Sequence, residues 1–269
     1  MRFGVYVPSY GPYGDPRVLR DLAVAAENAG WDGFFVYDLI GPLDDAPPPV
    51  VDPWVTLSAI AQATTSIALG PMVVPVPRRR PWKLALEAAT LQRLSGGRLL
   101  LGLGAGVATD YTNFGESAAR LGSRLDEAAE LLRRILAGGE IEHAGEHYRV
   151  SGARFAPIEV PVWTSGFWPR RTPVRAARDA DGLFPQIRDP HNDFRLPTPE
   201  ELVRIRADFV AAGGRADGDI AIWSPSTEPS AERASQYAAA GATWWFSDGS
   251  TVTPEQLRTR IAAGPPTLT

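Results

Sequence analysis

The sequence predicts an α/β protein built as a single (β/α)8 barrel, and three observations carry that expectation. Strand-like and helix-like patterns alternate from one end of the chain to the other. No repeat, low-complexity tail or shift in composition interrupts them, so residues 1–269 read as one domain. The alternation also runs through eight units, the number that closes a parallel sheet on itself in about 250 residues. A doubly wound open sheet has the same rhythm, and periodicity alone does not separate the two.

The first unit opens with a strand over residues 2–8. Asp15-Pro16 then gives an N-cap followed by proline at the first helical position, where its missing N–H costs nothing. Val18, Leu19, Leu22, Ala23, Ala26 and Ala29 share one helical face, and Gly30 stops the helix. Residues 33–38 (GFFVYD) are the second strand, and Asp52-Pro53 repeats the cap chemistry for the second helix. The third strand spans 67–74 and its helix 81–94. After a stop at Ser95-Gly96-Gly97 comes the fourth strand, 98–103, and then a long amphipathic helix over 121–136. Residues 140–150 (EIEHAGEHYRV) alternate around Gly145 as a small hairpin excursion from the barrel. The fifth strand is 161–164 with a helix over 171–178, and the sixth is 182–185. Thr198-Pro199-Glu200-Glu201 is a capping box that starts a helix to Ala212. A strand at 220–224, a helix at 231–240, a strand at 243–247 and a second capping box at Thr253-Pro254-Glu255-Gln256 complete the count. Pro47-Pro48-Pro49 and residues 186–197 are loops after strands, which places both at the mouth of the barrel.

Composition removes several classes of function. The chain is 44% hydrophobic and 22% charged, enough for a large core. A net charge of -4 with no basic stripe argues against nucleic acid as a partner. No apolar stretch is long enough to span a bilayer, so no membrane partner is expected. Met1-Arg2-Phe3-Gly4 runs straight into a strand pattern, so a cytoplasmic location is expected. Absence of cysteine removes disulfide, thiolate-nucleophile and zinc–thiolate chemistry. The three histidines, His143 and His147 in the hairpin and His191 in a mouth-side loop, lack ligand spacing backed by carboxylates, so no metal site is expected. There is no G-x-S-x-G elbow for a hydrolase triad. Lys83 is the only lysine, a bias that points to the genome of a high-GC bacterium.

The most informative run is LQRLSGGRLLLGLGAG, residues 91–106. It is a buried strand that delivers Gly104-Ala105-Gly106 to the end where barrels bind ligands, with no side chain to hold a ligand off the backbone at either glycine. A dinucleotide fingerprint does not fit, because these glycines lie on the fourth strand and the third fingerprint position is Thr109. A sharp strand-to-loop turn accounts for the same glycines equally well. Arg78-Arg79-Arg80, after the third strand, reads either as a steering patch for an anionic ligand or as a solvated turn. Tyr10 and Tyr13 would line an aromatic substrate pocket, with Trp168 and His191 as further lining candidates, while Tyr6 and Tyr37 read as core.

The segment DPWVTLSAIAQATTSIALGPMVVPVPRRRPWKLALEAATLQRLSGGRLLLGLGAG is preceded by AENAGWDGFFVYD and followed in order by GEHYRV, PVWTSG and AARDADGLFP. Together these resemble the bacterial luciferase-like flavin- and deazaflavin-dependent oxidoreductases, monooxygenases among them, over roughly residues 1–185. The resemblance implies a TIM barrel that binds FMN or coenzyme F-420 at its mouth and transfers hydride, or activates dioxygen, on a small organic substrate. The compactness of the chain leans toward coenzyme F-420. It also implies a homodimer through helices near the second and third strands. Asp38 would lie near the cofactor ring as the catalytic residue. Met72 and Val73 would form a non-prolyl cis peptide backing the ring, Gly104, Ala105 and Gly106 would lie along the ribityl chain, and Ser165 and Gly166, just past the fifth strand, would offer backbone N–H groups to the phosphate beside a helix N-terminus. The chain also departs from the family. Leu39 stands where many deazaflavin-dependent members have histidine, Arg80 where histidine is frequent, Gln92 where aspartate is common, and Ser165 where a glycine pair is usual. The obvious proton donor near the ring is thereby missing. Two alternatives stay open at this level: a flavin-binding barrel without turnover, and a barrel enzyme of unrelated chemistry.

Overall fold

The computed structural model describes residues 1–40, 49–169 and 178–268. Its strands are β1 (Arg2–Val7), β2 (Gly33–Val36), β3 (Ala68–Pro71), β4 (Val74–Pro75), β5 (Leu101–Gly104), β6 (Gly139–Ala144), β7 (Arg149–Phe155), β8 (Val162–Phe167), β9 (Gly182–Gln186), β10 (Asp219–Trp223) and β11 (Trp244–Asp248). The helices are α1 (Pro16–Asn28), α2 (Pro53–Ala63), α3 (Pro81–Leu94), the short α4 (Thr109–Thr112), α5 (Leu121–Ala137), α6 (Pro199–Ala211), α7 (Ala231–Ala239) and α8 (Pro254–Ala262).

All strands except the hairpin pair β6–β7 join one parallel sheet in the order β3-β2-β1-β11-β10-β9-β8-β5-β4. β3 and β4 are two halves of a single strand position: β3 pairs with β2, β4 pairs with β5, and the Met72–Val73 peptide between them is cis, as expected. The ring closes where Leu69 bridges Leu99 and the Leu100 N–H donates to the Leu69 carbonyl at 2.9 Å. With the two halves counted as one, eight parallel strands form a closed barrel, which decides against the open doubly wound sheet.

Helix starts follow the local chemistry. Asp15 accepts from the Arg17 N–H, Asp52 from those of Trp54 and Val55, and both capping boxes, at Thr198 and Thr253, are formed. The hairpin forms where expected and docks on α5 through Glu127, which accepts from the His143 ring and from the backbone N–H groups of His147 and Tyr148, each at 2.9 Å. The helix expected over 171–178 falls almost wholly outside the described residues, as do positions 47 and 48 of the proline loop. One strand differs in a way that matters. β8 runs to Phe167, beyond the expected 161–164, because its ladder with β9 continues through Phe167 opposite Gln186.

The core has two parts. Outward faces of the strands (Val5, Val7, Phe34, Val36, Leu101) pack on the helices. The barrel interior is separately filled by Phe35, Met72, Trp163, Phe184, Trp244 and Phe246, capped by Tyr6 and Trp223. These rings need bare backbone opposite them. A Cβ on Gly33 would come within 2.5 Å of the Phe35 ring, one on Gly4 within 2.8 Å of it, and one on Gly182 within 2.6 Å of Trp163.

Two charged side chains tie the face opposite the mouth. Arg98 donates to the carbonyls of Ala61, Thr64, Ile67 and Ser95 at 2.6–3.0 Å, satisfying the open end of α2. Glu27, near the end of α1, accepts from the N–H groups of Thr65, Ser66 and Ile67 at 2.6–3.0 Å and so fixes the approach to β3. Burial pushes the Glu27 carboxyl up from 4.5, but these donors and the Ser66 hydroxyl outweigh it and hold it at about 2. Its folded value is below its unfolded one, so the stability it contributes is complete above pH 4.5 and is lost as pH falls toward 2. Glu27→Gln should cost about 1–2 kcal/mol at neutral pH. It should also flatten the acid-side loss between pH 4.5 and about 2, read as urea midpoints across that range.

Candidate active site at the barrel mouth

Side chains alternate between the two faces of a strand, and the inward ones at the C-terminal strand ends build the mouth. They are Tyr6 on β1, Tyr37 just past β2, Val73 between β3 and β4, Gln186 on β9, Trp223 on β10 and Asp248 on β11, with Phe194 contributed by a loop. The Tyr6 ring lies 4.2 Å from that of Tyr37 and 5.5 Å from Trp223, and Phe194 lies 5.0 Å from Trp223 and 6.2 Å from Phe167. Three hydrogen bonds fix this floor. Tyr6 donates to the Met72 carbonyl at 2.6 Å, Tyr37 to Asp248 Oδ2 at 3.0 Å, and Trp223 Nε1 to Gln186 Oε1 at 3.1 Å. Tyr37, Val73 and Phe194 are partly exposed and form the surface a ligand would meet. Tyr6 and Tyr37, read as core from the sequence, are the centre of this floor. The sequence reading gave no site role to Asp248, Trp223, Gln186 or Phe194, although it placed the loop over residues 186–197 at the mouth. Counting by twos from Phe35 to Tyr37 and from Phe246 to Asp248 was the signal available for two of these positions.

The glycines of β5 serve the adjoining strand first. A Cβ on Gly104 would stand 2.4 Å from Val73 Cγ2, and one on Gly102 2.6 Å from Met72 Sδ. Gly104, expected along a ligand, is buried under Val73 in this structure. Ala105 and Gly106 remain at the rim. Gly106 is exposed with φ +73°, a conformation that suits glycine, and the Ala105 carbonyl accepts the Tyr111 hydroxyl at 2.7 Å.

Beneath the rim lies a buried ion network. Asp38 accepts from Arg78 at 2.5 Å and from Arg79 at 2.7 Å on its two oxygens, and Arg78 reaches on to Asp110 at 3.0 Å. The Asp38 side chain has 0% exposure and Arg78 has 8%. Burial holds the Asp38 carboxyl above its ordinary value, and the guanidinia of Arg79 and Arg78 offset this only in part. Both carboxylate oxygens are committed to cations, so in this arrangement Asp38, expected near the ring as the catalytic residue, holds the turn after β4. Arg78 and Arg79 are correspondingly neither a steering patch nor a solvated turn, and only Arg80 of the three is exposed.

Other expected residues are distributed as follows. Tyr13 is buried, with its hydroxyl 2.9 Å from the carbonyls of Gly249 and Val252 and its phenol pushed up to about 12 by burial, so it does not line a pocket. Tyr10 is partly exposed at the mouth, bridged to Val50. Trp168 leans away onto α6, its Nε1 donating to Asp208 at 2.8 Å and its ring under the Arg204 guanidinium, which corrects its assignment as a lining residue. His191 is exposed in the loop that carries Phe194. Ser165 and Gly166 are not past a strand but inside β8, paired with Phe184 and Pro185, and the Ser165 hydroxyl donates to the Phe184 carbonyl at 2.7 Å. The helix expected to start beside them lies outside the described residues. Gln92 takes a structural role, donating to the Glu159 carbonyl at 2.7 Å and accepting the Leu99 N–H at 2.9 Å. Among the described residues no group of three or more His, Asp or Glu is placed to hold a metal ion, and no helix is long and apolar enough to cross a membrane.

The family model described as luciferase-like monooxygenase matches residues 1–263. An F420-dependent glucose-6-phosphate dehydrogenase from Nakamurella multipartita is 31% identical over 251 residues, covering 83% of this chain and 72% of the relative. An F420-dependent hydroxymycolic acid dehydrogenase from Mycobacterium tuberculosis is 30% identical over 253 residues, covering 90% and 66% respectively. Among solved structures, an F420-dependent secondary alcohol dehydrogenase in complex with an F420-acetone adduct superposes with a TM-score of 0.78 at 18% identity, covering 97% of both chains. The coenzyme F420-dependent tetrahydromethanopterin reductase from Methanopyrus kandleri superposes at 0.76 with 14% identity and 98% coverage of both chains. These two show that the barrel fold is shared.

The ion network gives a direct test. Asp38→Asn leaves Arg78 with Asp110 alone and Arg79 with only the more distant Glu87, 3.6 Å away, and should cost about 3–5 kcal/mol in urea unfolding. Arg80→Ala, on the exposed neighbour, should stay within about 0.5 kcal/mol of the parent.

Proposed function

Because the chain belongs to the luciferase-like monooxygenase family, we propose that it is a deazaflavin- or flavin-dependent oxidoreductase that works on a small organic substrate at the barrel mouth. The observation that carries this reading is the mouth floor of Tyr37, Val73 and Phe194 beside a side-chain-free rim at Gly106. A flat, largely apolar ring system fits such a surface, and the donors of a phosphate- or metal-centred site are not what lines it. Met72 and Val73 would back the ring, with the Met72 carbonyl held by Tyr6, and Ala105 and Gly106 would follow the chain that extends from it. Ser165 and Gly166, at the C-terminal end of β8, are our candidates for the phosphate side, and Tyr10 and His191 for the substrate side. When bound, the cofactor supplies hydride transfer or, as a flavin, dioxygen activation; the protein orients it and shapes the pocket.

Coenzyme F-420 is preferred over FMN, and the support is that the relatives at 30–31% identity are F420-dependent by name. Titration of the purified protein with each cofactor, followed by ring fluorescence, should show binding of coenzyme F-420 in preference to FMN. Binding of neither would sink the proposal.

We also propose a homodimer through the outer faces of α2 and α3. Val55 is 71% exposed and Leu86 55% exposed there, beside Trp54 and Leu91 in a shallow groove. Light scattering on the eluting protein should give twice the chain mass, and Val55→Asp combined with Leu86→Glu should give the monomer mass.

A further inference from the structure

Asp38 is locked between two arginines, so it has no free oxygen with which to exchange a proton with a substrate, and another group at the mouth must do so. We infer that Tyr37 and Asp248 are that group: Tyr37 is the catalytic residue that exchanges a proton with a substrate oxygen, and Asp248 is the positioning residue that takes the proton from it or returns it. This rests on the oxidoreductase reading above.

The two carboxylates at the mouth are held in opposite ways. Asp38 meets cations on both oxygens, whereas the Asp248 oxygens meet neutral donors: the Tyr37 hydroxyl at 3.0 Å, the Ser250 N–H at 2.5 Å and the Ser250 hydroxyl. The Asp248 residue is 0% exposed. Burial raises the Asp248 carboxyl and no guanidinium occupies its oxygens, so a proton arriving from Tyr37 finds a free site there, whereas both Asp38 oxygens are already taken by arginines. The nearest cation, Arg260 of α8, is turned to the Asp248 backbone carbonyl at 2.9 Å and to Glu228. The remaining titratable groups around Asp248 are Tyr6 from β1 and Tyr13 from the segment after it, with Glu255 on α8 beyond Tyr13.

Tyr37 is the more exposed member of the pair, and because its hydroxyl is set against Asp248 and the Ser250 hydroxyl, a substrate oxygen would reach it in place of the latter. Tyr37 is partly exposed, while Tyr6 beneath it is buried and gives its own proton to the Met72 carbonyl. Burial keeps the Tyr37 phenol well above its ordinary value, so it stays protonated and acts by passing one proton on as it receives another. In the oxidative direction the O–H proton of a substrate alcohol goes to Tyr37 Oη as the Tyr37 proton goes to Asp248 Oδ2. The carbinol C–H bond breaks, its hydrogen leaving with the electron pair as hydride to the oxidised deazaflavin or flavin, and the C–O bond becomes a carbonyl. In the reductive direction every transfer reverses, with Asp248 starting protonated. The substrate class is therefore an alcohol or its carbonyl partner, carried on an apolar body against Phe194 and Trp223.

Tyr37→Phe and Asp248→Asn test the pair in two ways. In the cofactor-free protein, infrared spectra should show a protonated-carboxyl band that titrates above the ordinary carboxylate range. The band should be absent in Asp248→Asn and should titrate at higher pH in Tyr37→Phe, because losing a donor disfavours the charged form. In the protein loaded with coenzyme F-420, with cyclohexanol and cyclohexanone as the probe pair, Tyr37→Phe should lower kcat by about 10²–10³-fold. Ring binding should stay within twofold of the parent on the same samples. Asp248→Asn should lower kcat as well and remove one limb of its pH profile, a change that a purely structural role would not produce. A carboxyl band in the ordinary range, a band unmoved by Tyr37→Phe, a kcat within twofold of the parent, or a loaded parent that converts neither probe overturns the pair. A parent that binds neither cofactor overturns the oxidoreductase reading, and the pair falls with it.

Discussion

The third strand changes partner halfway along its length, and the architecture depends on how that change is held. Its first half is a neighbour of β2 and its second half a neighbour of β5, so the ring closes only if the chain is displaced at Met72–Val73 without losing its place in the sheet. Three features hold the displacement. The bare backbone of Gly102 and Gly104 receives Met72 and Val73, Tyr6 fixes the Met72 carbonyl, and Asp38 at the end of β2 grips Arg78 and Arg79 beyond β4. Together they join β1, β2, β4 and β5 above the point where Leu69 meets Leu99. The floor of the mouth stands on that junction.

Local chemistry was legible in the sequence and distant partnership was not. Asp15-Pro16, Asp52-Pro53 and the boxes at Thr198 and Thr253 act over three or four residues, and each starts a helix where it should. Closure of the sheet depends on pairs such as Leu69 with Leu99, which no periodicity encodes. Asp38 shows the same limit at the site. Its position at a strand end near the mouth was readable, but the arginines that claim both its oxygens lie 40 and 41 residues further on. Tyr37 and Asp248 are 211 residues apart, so their meeting belongs to the fold alone. The family resemblance placed the Met72–Val73 bond correctly because a backbone feature travels with the fold. A side chain's role depends on its partners, and those lie far away in the sequence.

The mouth combines two electrostatic regimes within one rim. On the β2–β5 side, charges are abundant, buried and mutually cancelled, which makes that side rigid and chemically quiet. On the β1–β11 side, one buried carboxyl sits among phenols and hydroxyls with no cation on its oxygens. A redox cofactor needs both: a fixed wall to lie against, and a place where a proton can go when an electron pair moves.

The interior of the barrel also constrains how such a sequence can drift. Phe35 fills the space left by Gly33 and Gly4, and Trp163 fills that left by Gly182. Neither member of such a set can change size alone, since a larger residue meets a ring and a smaller ring leaves a void. Descendants of this chain would therefore exchange bulk within a strand or between neighbouring strands in compensated steps, and a glycine becoming alanine would record the loss of the ring packed over it.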